Sequence, residues 1–151
     1  MTFKLLSKAA LALAAMGLCL SAASAAYKSE YKLSVVPGAS SGWGQTATFF
    51  ADCVRQKSNG RINIKPYFGA QLMAGKQTSE LLLVRRGAID FALASTINWS
   101  PQIKELNLTA LPFFVANNPD RYKAIDAIEA GKSGKMLEKA IEKTGVKFLG
   151  W

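Results

Sequence analysis

Residues 69–77, Gly-Ala-Gln-Leu-Met-Ala-Gly-Lys-Gln, have the outline of a phosphate cradle, with two glycines followed by a lysine. A phosphate loop places four residues between its glycines and a Ser or Thr after the lysine to hold magnesium. Here five residues separate Gly69 from Gly75, and Gln77 follows Lys76. Nucleotide chemistry is therefore not supported. Ser29-Glu30-Tyr31-Lys32 matches S-x-x-K by letter, yet it lies in an extended leader and lacks the companion motifs of that chemistry. Asp90 stands in an apolar run with no second carboxylate near it in sequence, which suits a buried or capping acid better than a general acid. The chain has no histidine, which excludes an imidazole base, the Ser–His–Asp triad and the usual zinc hydrolases. Asn98-Trp99-Ser100 and Asn107-Leu108-Thr109 fit the glycosylation sequon, a signal that matters only in a eukaryotic secretory route. No metal-ligand set and no cofactor motif emerges.

The first residues set the compartment. Lys4 and Lys8 precede an apolar core, Ala9 to Leu20, and the segment ends Ala23-Ser24-Ala25 with small residues on both sides of Ser24. A basic start, a short apolar core and an A-x-A end, in that order, read as a cleaved secretory signal peptide over residues 1–25. Residues 26–151 then form one exported domain. Leu18 stands where a small residue would precede a lipidated cysteine, which argues against an anchor at Cys19. Loss of the leader leaves Cys53 alone, so no disulfide framework is expected and the fold must rest on an ordinary core. No later apolar run approaches the ~20 residues of a membrane helix.

Alternating patterns and breakers then divide the domain. Tyr31 to Val36 reads as a strand ending at Pro37-Gly38. A helix capped by Ser40 or Ser41 follows, with Trp43, Ala47, Phe50, Ala51 and Val54 on one stripe facing a sheet, and Asn59-Gly60 stops it. Arg61 to Tyr67 reads as a second strand whose end, at Pro66, lies on an edge or leaves the sheet there. After a loop from Phe68 to Gln77, Thr78 or Ser79 opens a helix carrying Leu81, Leu82 and Val84, ended by Gly87. Ala88 to Ala94 is nearly all apolar, as for a strand covered on both faces. An apolar stretch through Leu106, Leu108, Leu111, Phe113 and Phe114 is broken by Pro112. Asn118-Pro119-Asp120 reads as a cap, a first-position proline and a first-turn acid. A last helix spans about Ser133 to Thr144, and Val146 to Trp151 reads as a strand. Such alternation predicts an α/β fold with a mainly parallel sheet and flanking helices. Ending on a strand is the mark expected of a truncated domain.

The formal charge of +9 is dispersed. Lys135, Lys139 and Lys143 interleave with Glu138 and Glu142, as on a solvated, salt-bridged helix face. A nucleic-acid surface would need a basic cluster with exposed aromatics, so no nucleic acid is expected as partner. A diffuse positive field still favours an anionic ligand. In open α/β sheets ligands bind beyond the carboxyl ends of the strands. Those ends offer Pro37, Gly38 and Ser40, then Gln71, then Ser95, Thr96, Asn98 and Trp99, and finally Trp151. Hydroxyls and amides beside an indole wall suit a small polar ligand.

The segments YKLSVVPGASSGWGQ, ADCVRQKSNGRINIKPYFGAQL, LLLVRRGAIDFALAS, LTALPFFV and GVKFLGW stand in a familiar order. With the K-S-x-G-R turn at Lys57–Arg61, the Q-L pair Gln71-Leu72, the G-x-x-D of Gly87–Asp90 and the L-P-F of Leu111–Phe113, the chain resembles the DctP-type solute-binding proteins of TRAP transporters, the tripartite ATP-independent periplasmic systems. The resemblance implies two α/β lobes joined by a hinge and closing on an organic acid, such as a C4-dicarboxylate, with delivery to membrane permease subunits driven by an ion gradient. It implies a periplasmic location, no enzyme activity and no cofactor. Family members are roughly twice as long, so this chain corresponds to the first lobe of a two-lobed periplasmic-binding-protein fold, with the second lobe largely missing. The family's carboxylate-clamping arginine then falls beyond Trp151; Arg85 and Arg86 close a helix and do not replace it. Competing readings are a receptor of an ATP-driven importer or sensor, and a small exported enzyme. The second is opposed by the lack of a nucleophile with a plausible base.

Cleavage after Ala25 is the first expected outcome. Intact-mass measurement of the exported protein should give a chain starting at Ala26, and a start at a lipidated Cys19 or an uncleaved chain would overturn it.

Overall fold

In the computed structural model, residues 27–113 and 115–151 are described; the expected signal peptide and Phe114 lie outside them. Three strands form one parallel sheet in the order β2-β1-β3: β1 is Tyr31–Val35, β2 Ile64–Tyr67 and β3 Phe91–Leu93. Among the described residues five helices accompany it: α1 Gly42–Lys57, α2 Glu80–Arg85, α3 Thr96–Trp99, α4 Arg121–Ala130 and α5 Lys132–Glu142. Short 3-10 turns occupy Gln71–Met73, Gln77–Ser79 and Lys104–Ala110. The α/β class with a parallel sheet and flanking helices is as the sequence predicts.

Strand alternation sends successive side chains of β1 to opposite faces. Leu33 and Val35, with Phe91 and Leu93 beside them, meet Ala47, Ala51, Phe50 and Val54 of α1. Small alanines bring the helix close, and the Phe50 ring packs edge-on against Phe91 at 6.0 Å. Trp43, expected on the same stripe, is 40% exposed at the first turn of α1, before the helix crosses the sheet. Ser41 is the cap, its Oγ accepting from the Gly44 N–H at 3.0 Å. Pro66 sits on the edge strand β2, as its missing donor demands.

The other face holds Leu81, Trp99, Ile103, Leu106, Leu137 and Ile141. Here β1 contributes Ser34, and the polar hydroxyl is answered by Glu80, the first residue of α2. Ser34 Oγ donates to Glu80 Oε1 at 2.6 Å and the Trp99 indole N–H donates to Oε2 at 3.0 Å. Glu80 is completely enclosed. Burial pushes its carboxyl above the ordinary value, outweighing the two hydrogen bonds that favour the charged form.

The strands are shorter than their sequence patterns, for local reasons. Arg61 N–H bonds the Ser58 carbonyl and Ile62 N–H the Ser58 hydroxyl, so these residues close α1 before β2 begins. Ala88 and Ile89 N–H groups both bond Leu83 O, holding them to the end of α2. Asp90 caps the sheet: its Oδ2 accepts the Lys32 N–H at 2.9 Å and it pairs with Lys28. Because β3 is an edge strand, its three residues are half-buried, and the expected cover on both faces is incomplete. Val146–Trp151 is not a strand: Val146 and Phe148 pack on the second core and no ladder forms with the sheet among the described residues. The cap of α4 is Asp120, accepting from Lys123 N–H, while Asn118 accepts from Asp120 N–H, so Pro119 lies outside the helix rather than at its first position. On α5 the expected intrahelical salt bridges do not form; Glu142 pairs instead with Lys147 beyond the helix end.

Two outcomes follow from this packing. Phe50→Ala should cost about 3 kcal/mol in urea unfolding and Trp43→Ala less than about 1 kcal/mol; equal costs would contradict the assigned faces. For Glu80 the folded state holds the proton more tightly than the unfolded chain. Its favourable contribution is therefore full below the ordinary carboxylate range and is lost as pH rises through the raised value. Urea midpoints from about pH 4 to about pH 8 should shift in favour of Glu80→Gln relative to wild type as pH rises. A constant difference would mean that Glu80 does not titrate upward.

Candidate functional site

The connections out of β1 and β2 run in opposite directions. From β1 the chain passes through α1 to β2 on one side, and from β2 it returns to β3 on the other side of β1. A reversal of this kind opens a crevice between the carboxyl ends of the two strands that flank it, here β1 and β3.

On the β1 side, Pro37 is half-buried while Gly38 and Ser40 are exposed. The Pro37 carbonyl accepts the Gly69 N–H at 3.1 Å, lacing the loop after β1 to the loop after β2. Ser41 Oγ donates to Gly38 O at 2.6 Å. Gly44 is needed beneath, because a Cβ there would collide with the Ala39 carbonyl. Gln71 is exposed in the following 3-10 turn, and the alanines on either side of that turn, Ala70 and Ala74, are left-handed.

On the β3 side, Ser95 caps α3, its Oγ accepting the Ile97 N–H at 3.2 Å. Asn98 Nδ2 donates to Gln77 Oε1 at 3.1 Å, and Gln102 Nε2 donates to Thr78 O at 2.6 Å. These contacts form an open groove of about 550 Å³ lined by Lys76, Gln77, Thr78, Ser79, Asn98 and Gln102. Leu82 and Gly75 complete the lining, so its amides, hydroxyls and one ammonium stand beside apolar surface. Thr96 turns the other way, accepting from Thr109 Oγ1 at 2.8 Å. With Trp151 it lines a second, mainly apolar cavity of about 480 Å³ bounded by Leu111, Phe113, Arg121 and Ile125. Trp99, expected as an exposed wall, is a core side chain at 8% exposure with its indole committed to Glu80. The nine sequence-predicted positions are thus divided: Asn98 in the open groove, Thr96 and Trp151 in the apolar cavity, Trp99 in the core, and Pro37, Gly38, Ser40, Gln71 and Ser95 in the loops and caps.

Sequence reasoning missed Lys76, Gln77, Glu80 and Gln102. In the sequence Lys76 and Gln77 belong to a failed phosphate-loop pattern, and Glu80 looks like an ordinary first-turn acid. Among the described residues no group of three or more His, Cys, Asp or Glu could hold a metal, and no helix is long and apolar enough to cross a membrane.

Comparison with known proteins identifies the family. Residues 33–151 match the family model for DctP, bacterial extracellular solute-binding protein, family 7. A solute-binding protein of Chromohalobacter salexigens is 30% identical over 108 residues, covering 72% of this chain and 30% of the relative. The C4-dicarboxylate-binding periplasmic protein DctP of Rhodobacter capsulatus is 26% identical over 136 residues, covering 89% of this chain and 39% of its own. The crystal structure of a TRAP periplasmic solute-binding protein from Ralstonia eutropha, with bound (S)-2-acetolactate, superposes with a TM-score of 0.74 at 53% identity, covering 80% of this chain and 37% of that one. A succinate-bound TRAP protein of Sulfurospirillum deleyianum shares the fold at 23% identity and a TM-score of 0.68, over 77% of this chain and 36% of its own. The chain spans between three and four tenths of the length of these relatives. Matched over most of its sequence and sharing the fold of these structures, the chain belongs to the DctP family of bacterial extracellular solute-binding proteins.

Proposed function

We propose that this chain provides the first-lobe part of a receptor for a small organic acid, exported to the periplasm by cleavage of residues 1–25 and serving the membrane permease subunits of a TRAP-type, ion-gradient-driven transporter. The observation that carries the reading is the reversal of chain direction between β1 and β3, with hydrogen-bonded polar loops beyond the carboxyl ends of the strands. Ser95, Asn98 and the Pro37–Ser40 loop offer donors to carboxylate and hydroxyl oxygens, and Lys76 is the cation closest in chemistry to what an anion needs. (S)-2-Acetolactate in the Ralstonia eutropha relative, 53% identical to this chain, supports a small organic acid as cargo. The function is binding, without a catalytic residue.

Amide resonances read weak binding directly. Titration of the ¹⁵N-labelled chain with acetolactate or succinate should shift Ser95, Asn98 and Gly75–Gln77, with dissociation constants of about 1 mM or weaker. Asn98→Ala and Lys76→Met should each weaken binding at least about threefold. Shifts confined to the cavity at Thr96 and Trp151, or no saturable shift, would sink the assignment; hydrolysis of a test ester would redirect it to an enzyme.

A further inference from the structure

α4 is a ten-residue helix that contributes no buried residue. It packs mainly on α5 and leaves Tyr122 84% and Ile125 39% exposed, beside Phe113 at 85%. Such a helix lacks the cover that normally stabilises a helix of this length. The apolar cavity of about 480 Å³ runs along this face, lined from α4 by Arg121, Ile125, Ile128 and Glu129. Neither Arg121 nor Glu129 makes an ion pair among the described residues.

The spacing of these residues names an occupant. Arg121 and Glu129 lie four residues before and after Ile125, and at the helical rise they are about 12 Å apart along the axis. All five of Arg121, Tyr122, Ile125, Ile128 and Glu129 fall within about 60° of the Ile125 direction at 3.6 residues per turn. A second α4 laid antiparallel across a two-fold axis at Ile125 therefore meets its copy in register. Ile125 packs on Ile125, each Tyr122 covers the partner copy's Ile128 position, and each Arg121 reaches the opposite Glu129. The pattern is complementary to itself, as an isologous contact requires. We propose that this chain self-associates through α4 as an antiparallel two-fold pair, with reciprocal Arg121–Glu129 ion pairs closing both ends of an apolar seam. A foreign helix would need the same reversed charge order, which α4 already carries.

Charge reversal tests the geometry in chain purified after export, followed by sedimentation velocity from about 1 µM to about 500 µM. Wild type should show a concentration-dependent dimer. Arg121→Glu or Glu129→Arg alone places like charges at both ends and should weaken the dimer at least about tenfold. The double variant Arg121→Glu with Glu129→Arg restores opposite pairs and should recover to within about threefold of wild type. Far-UV circular dichroism checks that the exposed substitutions keep the fold, and Arg121→Gln with Glu129→Gln provides milder versions. A monomer at every concentration overturns the proposal and leaves the face to another occupant. A dimer indifferent to the single reversals, or singles without recovery in the double, overturns the α4 arrangement.

Discussion

The buried carboxylate of Glu80 holds together the parts of this molecule on which a site depends. It joins the central strand, through Ser34, to the first residue of α2 and to the end of α3 through the Trp99 indole. Removing a carboxyl group from water is costly, and each partner recovers part of that cost only if it stays in place. Loss of the Trp99 donor would leave an enclosed carboxylate oxygen unanswered, a penalty of about 1–3 kcal/mol. The arrangement therefore specifies position more than it adds stability. Asn98 is the neighbour of Trp99, and Ser95 caps the same short turn, so both are placed by an anchor one layer below them.

Much of this fold was legible because local rules agree with the tertiary packing. The leucine–valine alternation of β1, the alanine stripe of α1 and the edge requirement of Pro66 all appear where the residues demanded. The misreadings share a cause. Ala88 and Ile89 look like strand residues, yet their N–H groups are already claimed by Leu83, and Val146 to Trp151 has strand composition but is drawn onto the second core. Backbone hydrogen bonds that compete with the ladder leave no trace in an apolar pattern. The family could be read from an ordered set of short motifs, and it now stands on the match of residues 33–151.

The site was legible only in outline. That ligands gather at strand ends is a rule of topology, and it directs attention to the loops beyond β1, β2 and β3. Which side chains share a groove depends on packing between distant residues, such as Asn98 with Gln77 and Gln102 with Thr78, and no spacing in the sequence announces such contacts. Trp99 illustrates the same limit. A tryptophan in a polar loop reads as a ligand wall, but here a buried acid nearly twenty residues earlier turns its indole inward.

The two concavities differ in what they can do for an anion. The groove beside Asn98 is open, so the ammonium of Lys76 acts through water: at 4 Å a pair of unit charges is worth about 1 kcal/mol in that medium, against about 4 kcal/mol at the effective dielectric of a partly covered site. An open polar groove can therefore select and orient a carboxylate without holding it tightly. Tight capture requires a cover that excludes water while adding its own donors. The apolar cavity has the opposite character, with mostly apolar area and the charged groups of Arg121 and Glu129 beside the paired hydroxyls of Thr96 and Thr109. The short helix α3 divides the two spaces: Thr96 lines the apolar cavity, and Asn98, two residues on, lines the open groove.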